Sequence, residues 1–229
     1  MTSAELPVHA VDAAQPEQVN KWAVAVAVAT GALLEVVDSS IVNVALAEIQ
    51  SAVGATLSQV SWVVSSYAIA NVIVLPLSAW LGQRFGKKRY FVFSMIGFTL
   101  ASMLCGVATS LPMLVVARVL QGLAGGGLLA KAQAILFETF PREEQAMAQG
   151  LFGAIAIAGP VVGPTLGGFI TTHSSWRWIF FVNVPVGIAA VLLSMSALPR
   201  DMPRGPSERI DWFAIGLMAL GLGCLQTFL

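Results

Sequence analysis

Seven apolar blocks, each near the length a helix needs to cross a bilayer, constrain this chain more than any other feature. They run over residues 22–46, 61–81, 90–108, 112–136, 147–170, 177–198 and 212–229. About 20 apolar residues in helical form span the hydrocarbon core of a membrane. Several blocks are apolar on every face, whereas a helix lying on a water-soluble core is striped. Composition agrees: 57% of the residues are hydrophobic and 10% charged, against about 25% charged in an ordinary globular domain. The blocks predict an all-α membrane protein.

Charge sets the orientation. The formal net charge is zero, so there is no bulk electrostatic case for binding nucleic acid. With loops alternating sides, Lys21, Arg84, Lys87, Lys88, Arg89, Arg142, Arg200, Arg204 and Arg209 fall on one side, with Lys131 near it. The other side holds only Arg177. Basic loops stay in the cytoplasm. The reading is therefore a cytoplasmic N-terminal tail over 1–21, a six-helix transmembrane bundle over 22–198, a cytoplasmic linker over 199–211 and the start of a seventh helix over 212–229. The first block is too long for a signal-peptide core and no basic cluster precedes it, so it reads as a retained span.

Classes of chemistry fall away on the same residues. Cys105 and Cys224 lie inside apolar blocks, as small packing residues outside any disulfide framework or metal site. His9 and His173 lie outside the spans without metal-ligand company. There is no phosphate-binding glycine loop for direct use of ATP, and no catalytic constellation. The chain is expected not to be an enzyme and to hold neither metal nor cofactor.

The informative residues are the polar ones that are costly inside a membrane. The first block contains "LLEVVDSSIVNVAL", with Glu35, Asp38, Ser39 and Asn43 on one side of a helix at about 100° per residue. Ser39 and Asn43 suit a hydrogen-bonded patch between helices. Two carboxylates one turn apart suit proton exchange, because like charges held close raise at least one pKa; the alternative is an ion pair to a basic partner. Arg118 in the fourth block is the candidate partner, with Gln121 on its face one turn on. A buried arginine keeps its charge and demands a counter-charge.

Glycines thin two blocks. Gly122, Gly125, Gly126 and Gly127 do so in the fourth. In the fifth, "GAIAIAGPVVGPTLGGFI" spaces Gly159, Gly163 and Gly167 by four residues, with Pro160 and Pro164 repeating the step one residue on. Small residues at this spacing let helices approach until backbones touch, and the prolines add bending, so a tight, kinked seam is expected. Between the second and third blocks, "WLGQRFGKKRYF" joins four basic residues to Gly82 and Gly86. The basic residues anchor topology; the glycines add tight turning at the helix ends.

These stretches together resemble the major facilitator superfamily, in its drug:proton antiporter branch with fourteen spans. "LEVVDSSIVNVAL" resembles the first-helix motif at Asp38 and Asn43. "WLGQRFGKKR" resembles the loop motif at Leu81, Arg84, Gly86, Lys87 and Lys88, with Gln83 where the motif usually carries an acidic residue. "RVLQG" matches the fourth-helix motif at Arg118, Gln121 and Gly122. "AGPVVGPTLGG" resembles the antiporter motif at Gly159, Pro160, Gly163, Pro164, Gly167 and Gly168, and "SSWRWIFFVNVPVG" is typical of the start of helix six.

The resemblance implies two six-helix bundles rocking about a central site, with proton entry driving export of lipophilic or cationic compounds. It implies Asp38, Arg118, Gln121 and Asn43 as coupling residues, to which the carboxylate spacing adds Glu35. The fifth-helix glycines are expected to pack against the opposite bundle and so limit proton leak. The loop residues Leu81, Gln83, Arg84, Gly86, Lys87 and Lys88 are expected to gate on the cytoplasmic side. The setting is a bacterial inner membrane, with lipid, protons and the exported compound as partners, alongside periplasmic adaptor and outer-membrane channel proteins. Seven spans supply one bundle and the start of more, so the chain reads as the N-terminal portion of a longer transporter. The competing readings are a non-transporting or decayed half-transporter, which Asp38 and Arg118 argue against, and a facilitator importing a small solute, which has no need of the fifth-helix motif.

Overall fold

A computed structural model describes residues 20–199, 201 and 212–228. Residues 1–19 of the expected tail over 1–21, residues 200 and 202–211 of the expected linker, and residue 229 lie outside the described residues. No strand occurs among the described residues. In chain order the α-helices are α1 (Lys21–Val53), α2 (Leu57–Val60), α3 (Trp62–Phe85), α4 (Lys87–Gly106), α5 (Leu111–Gly125), α6 (Leu128–Thr139), α7 (Gln145–His173), α8 (Trp178–Phe181), α9 (Asn183–Ala197) and α10 (Trp212–Phe228). Among the described residues they make six spans long and apolar enough to cross a membrane. Helix α10, with 17 residues, occupies the seventh block. The chain is a multi-pass membrane protein.

Helix ends fall where local chemistry stops them. Asn20 caps α1 by accepting from the Trp22 and Ala23 amides, and Gly54 ends it at φ 64°, a left-handed conformation that glycine adopts without steric cost. Thr56 and Gln59 form a reciprocal capping box at α2. Ser110 caps α5 through the Met113 amide. The start of α4 is capped from a distance: Asp201 accepts from the Lys88 and Arg89 amides, each at 3.1 Å.

The fourth block, expected over residues 112–136, is one span, Leu111–Thr139, with its helix interrupted inside it. Helix α5 ends at Gly125, and Gly127 at φ 72° caps the start of α6. Gly126 cannot carry a side chain there, because a Cβ would meet the Gly122 carbonyl at 2.7 Å and Val74 at 2.9 Å. The glycines thus break the helix as well as thin it.

Helix α1 runs through the middle, packed on α6, α7 and α9. Two apolar cores meet along it. One gathers Val28 and Leu34 with Phe91, Phe98, Leu128 and Phe152; the other gathers Ile41 and Ile49 with Val63, Leu114, Ile179 and Phe180. Between Leu34 and Ile41, at the junction of the two cores, lies Asp38. Large apolar side chains such as Phe93, Val161 and Leu192 are exposed, as lipid-facing helices require.

Candidate functional site

Asp38 is fully buried and saturated with donors. Its Oδ2 accepts from Arg118 Nη1 at 2.6 Å; its Oδ1 accepts from Gln121 Nε2 at 2.9 Å and Asn183 Nδ2 at 2.7 Å. Arg118 is 1% exposed. Its Nε donates to the Val63 carbonyl at 3.0 Å, its Nη1 also reaches Gln121 Oε1 at 2.8 Å, and its guanidinium lies 4.1 Å from the centre of the Tyr67 ring. Asn183 also donates to Ser102 Oγ at 3.2 Å, and that hydroxyl donates to the Phe180 carbonyl at 2.9 Å.

Helices α1, α3, α4, α5 and α9 therefore converge on one carboxylate. A buried ion pair is held by its remaining hydrogen bonds, and removing one partner costs about 3–5 kcal/mol because the other charge stays buried. A proton on Asp38 would cancel one half of the pair and leave Arg118 without its counter-ion.

The sequence brought Arg118 and Gln121 to Asp38, and the structure places all three together. It does not bring the other expected members there. Glu35 has its own donors: Asn71 Nδ2 at 2.6 Å and the Leu129 amide at 2.7 Å, at the start of α6 just past the glycine break. The two carboxylates do not share a hydrogen-bonded site, because the helical turn between them points Glu35 toward α3 and α6, and Asp38 toward α5 and α9. Asn43 is exposed and donates to the Ser39 carbonyl of its own helix at 2.8 Å. It lies apart from the cluster. Asn183 and Asn71 were missed. Their signal was the one that singled out Asp38, an amide alone in an apolar block.

The fifth-helix motif divides between two faces of α7. Gly159, Gly163 and Gly167 are buried against α1. A Cβ on Gly163 would fall on Ser40 Oγ, and on the Ile41 amide nitrogen at 3.1 Å; one on Gly159 would fall on Val36. Ser40 Oγ donates to the Gly159 carbonyl at 2.9 Å. This corrects the expectation that these glycines pack against an opposite bundle: they pack within this one. Pro160 and Pro164 are exposed on the other face, and a Cβ on Gly168 would meet nothing within 4 Å.

The loop residues also separate. Gly86 sits at φ 108° against Asp201. Lys88 Nζ donates to the Met195 and Leu198 carbonyls at 2.8 and 2.5 Å, closing the end of α9. Lys87 pairs with Glu138 of α6. Leu81 is half-buried, while Gln83 and Arg84 are exposed.

The sequence profile of the Major Facilitator Superfamily matches residues 28–225. The chain is 39% identical over 204 residues to "Multidrug export protein EmrB" of Escherichia coli (strain K12), covering 89% of this chain and 40% of that protein. It is 32% identical over 216 residues to "Multidrug resistance protein 3" of Bacillus subtilis (strain 168), covering 94% of this chain and 42% of that protein. It thus spans about two fifths of the length of these relatives. Among solved structures, the inward-open, partially occluded xylose transporter XylE from E. coli superposes with a TM-score of 0.71 at 15% identity, covering 79% of this chain and 50% of that one. At that identity the likeness concerns the fold.

Proposed function

The chain belongs to the major facilitator superfamily, and on that premise we propose that it serves proton-coupled export of lipophilic, often cationic, compounds by alternating access. The observation that carries the reading is the Asp38–Arg118 pair, sealed at 0% and 1% exposure where five of the spans meet. Ionisable groups so placed are costly and mark ion or substrate paths. Relatives named for multidrug export and resistance support drugs as the exported class.

In this reading ionised Asp38 holds α1, α5 and α9 together through Arg118, Gln121 and Asn183. Protonation frees Arg118 and lets α5 shift against α1. Glu35, half-buried and held by Asn71 and a backbone amide, is the more reachable carboxylate and the secondary proton or cation site. Asn43 takes no part in the cluster. The glycine face of α7 makes α1 and α7 move as one body, and Lys87 and Lys88 tie α4 to α6 and α9 on the basic side. The proton gradient is the driving force; the protein is not an enzyme and needs no cofactor. Its setting is a bacterial cell membrane, and periplasmic adaptor and outer-membrane channel proteins are its proposed partners.

The test is uptake of a fluorescent lipophilic cation into everted membrane vesicles carrying the protein expressed from its complete gene. Accumulation that collapses with a protonophore is expected. No accumulation, or accumulation indifferent to the protonophore, would refute the proposal.

A further inference from the structure

Lys131 entered the sequence reading only as a basic residue near one side of the membrane, yet it is buried, at 9% exposure, inside the fourth span. Its Nζ donates to Ser94 Oγ at 2.8 Å and stands 4.0 Å from the centre of the Tyr90 ring. It forms no ion pair among the described residues. An ammonium carries three donors, and a buried cation ordinarily demands a counter-charge. Glu138 pairs with Lys87, and Glu35, whose charge acts on Lys131 through space, has its hydrogen bonds from Asn71 and the Leu129 amide and makes no ion-pair contact with Lys131.

Lys131 lines a cavity of about 370 Å³ between α3, α4 and α6. The space exists because small residues face each other, with Ala79 and Gly82 on α3 and Ala130 and Ala134 on α6, while Leu75 and Ile135 make the wall apolar. A Cβ on Gly82 would still stand 3.9 Å from Tyr90. Lys87 also lines the cavity but is neutralised by Glu138. Lys131 remains as the ammonium on the cavity wall without an ion-pair contact among the described residues. Lys131 lies about 12 Å along α6 from its end at Thr139, at 1.5 Å per residue.

We propose that this cavity binds the anionic head of a membrane amphiphile, a carboxylate or a phosphodiester, with Lys131 as its counter-ion and its apolar tail along Leu75, Ala79 and Ile135. One charge suits a monoanion, and the apolar walls exclude a free hydrated ion. The site is separate from the Asp38 cluster and does not depend on the direction of transport.

Trp80 follows Ala79 in α3, and with the other tryptophans replaced by phenylalanine it reports on the site by fluorescence. The protein expressed from its complete gene is placed in phosphatidylcholine nanodiscs and titrated with dibrominated stearate, its methyl ester or brominated phosphatidylglycerol. Saturable quenching by the stearate, the phosphatidylglycerol or both supports the proposal, and which of them binds identifies a fatty-acid or a phospholipid source. Lys131→Met should weaken that binding about tenfold or more, because the anion loses its buried counter-charge. Ala134→Leu keeps the charge but fills the cavity, and should weaken it to a similar extent. Arg142→Gln, a basic residue outside the cavity, should leave it within about twofold. The proposal fails if neither anion binds saturably or the methyl ester binds as well as the acid. It also fails if Ala134→Leu binds like wild type, an arm that stands even where Lys131→Met does not fold.

Discussion

Adding one methyl group to Gly163 should measurably weaken the packing of α7 on α1, while adding the same group five residues on should not. An alanine Cβ at Gly163 lands on Ser40 Oγ, with Ser40 Cβ at 2.9 Å and the Ile41 backbone nitrogen at 3.1 Å. The hydroxyl could rotate away, but the backbone nitrogen cannot yield without moving α1, and α1 is gripped by α6, α7 and α9. Overpacking of this kind costs about 1–3 kcal/mol. Rotating Ser40 would also forfeit its bond to the Gly159 carbonyl, worth about 0.5–1.5 kcal/mol. At Gly168 a Cβ meets nothing within 4 Å, so alanine there should be neutral or stabilise by up to about 1 kcal/mol through helix propensity. The assay is reversible unfolding of the purified protein in mixed micelles, followed by circular dichroism, for Gly163→Ala, Gly168→Ala, Ser40→Ala and the Gly163→Ala/Ser40→Ala pair. Removing the hydroxyl should recover part of the Gly163→Ala loss, giving a coupling of about 0.5 kcal/mol or more. Equal stability of Gly163→Ala and Gly168→Ala would refute the glycine-to-α1 contact.

Other perturbations follow from the same contacts. Arg118→Met should destabilise by about 3–5 kcal/mol in the same unfolding assay, because it strands the Asp38 charge in the core. Asp201→Ala should cost about 0.5–2 kcal/mol, since it strips the acceptor from the Lys88 and Arg89 amides; Asp201→Asn should retain most of that. In a background without Cys105 and Cys224, a membrane-impermeant thiol reagent added to intact cells should label Thr172→Cys and spare Gln83→Cys. The reverse pattern would overturn the orientation drawn from the basic residues.

The spans were legible because apolar length is a property of the chain alone, and every described span falls on an expected block. The Asp38–Arg118 pairing was legible for a related reason: a membrane leaves an arginine few affordable neighbours, so two costly charges on different helices imply each other. Direction was harder to read. A glycine every fourth residue reports that something comes close to α7, not which helix, and the neighbour proved to be α1. The glycines at 125–127 read as thinning because glycine both narrows a helix and ends one; only φ 72° at Gly127 decides between them. Glu35 and Asp38 looked like a pair because one turn separates them. Asn71 and the Leu129 amide, which hold Glu35 elsewhere, come from helices whose placement no local pattern encodes. Lys131 sat among charges that set topology, and nothing in its neighbours along the chain announced a cavity.

The central claim is that Asp38 carries the coupled proton through its hold on Arg118. Its most direct test is substrate-induced proton release from everted vesicles, compared among wild type, Asp38→Asn and Asp38→Asn/Arg118→Gln at matched amounts of folded protein. The double variant matters because Asp38→Asn alone leaves an unpaired buried guanidinium, and neutralising both partners separates loss of coupling from loss of fold. Both variants should bind the compound yet release no protons when it is added. Proton release at the wild-type level from either variant would contradict the account and take Asp38 out of the mechanism.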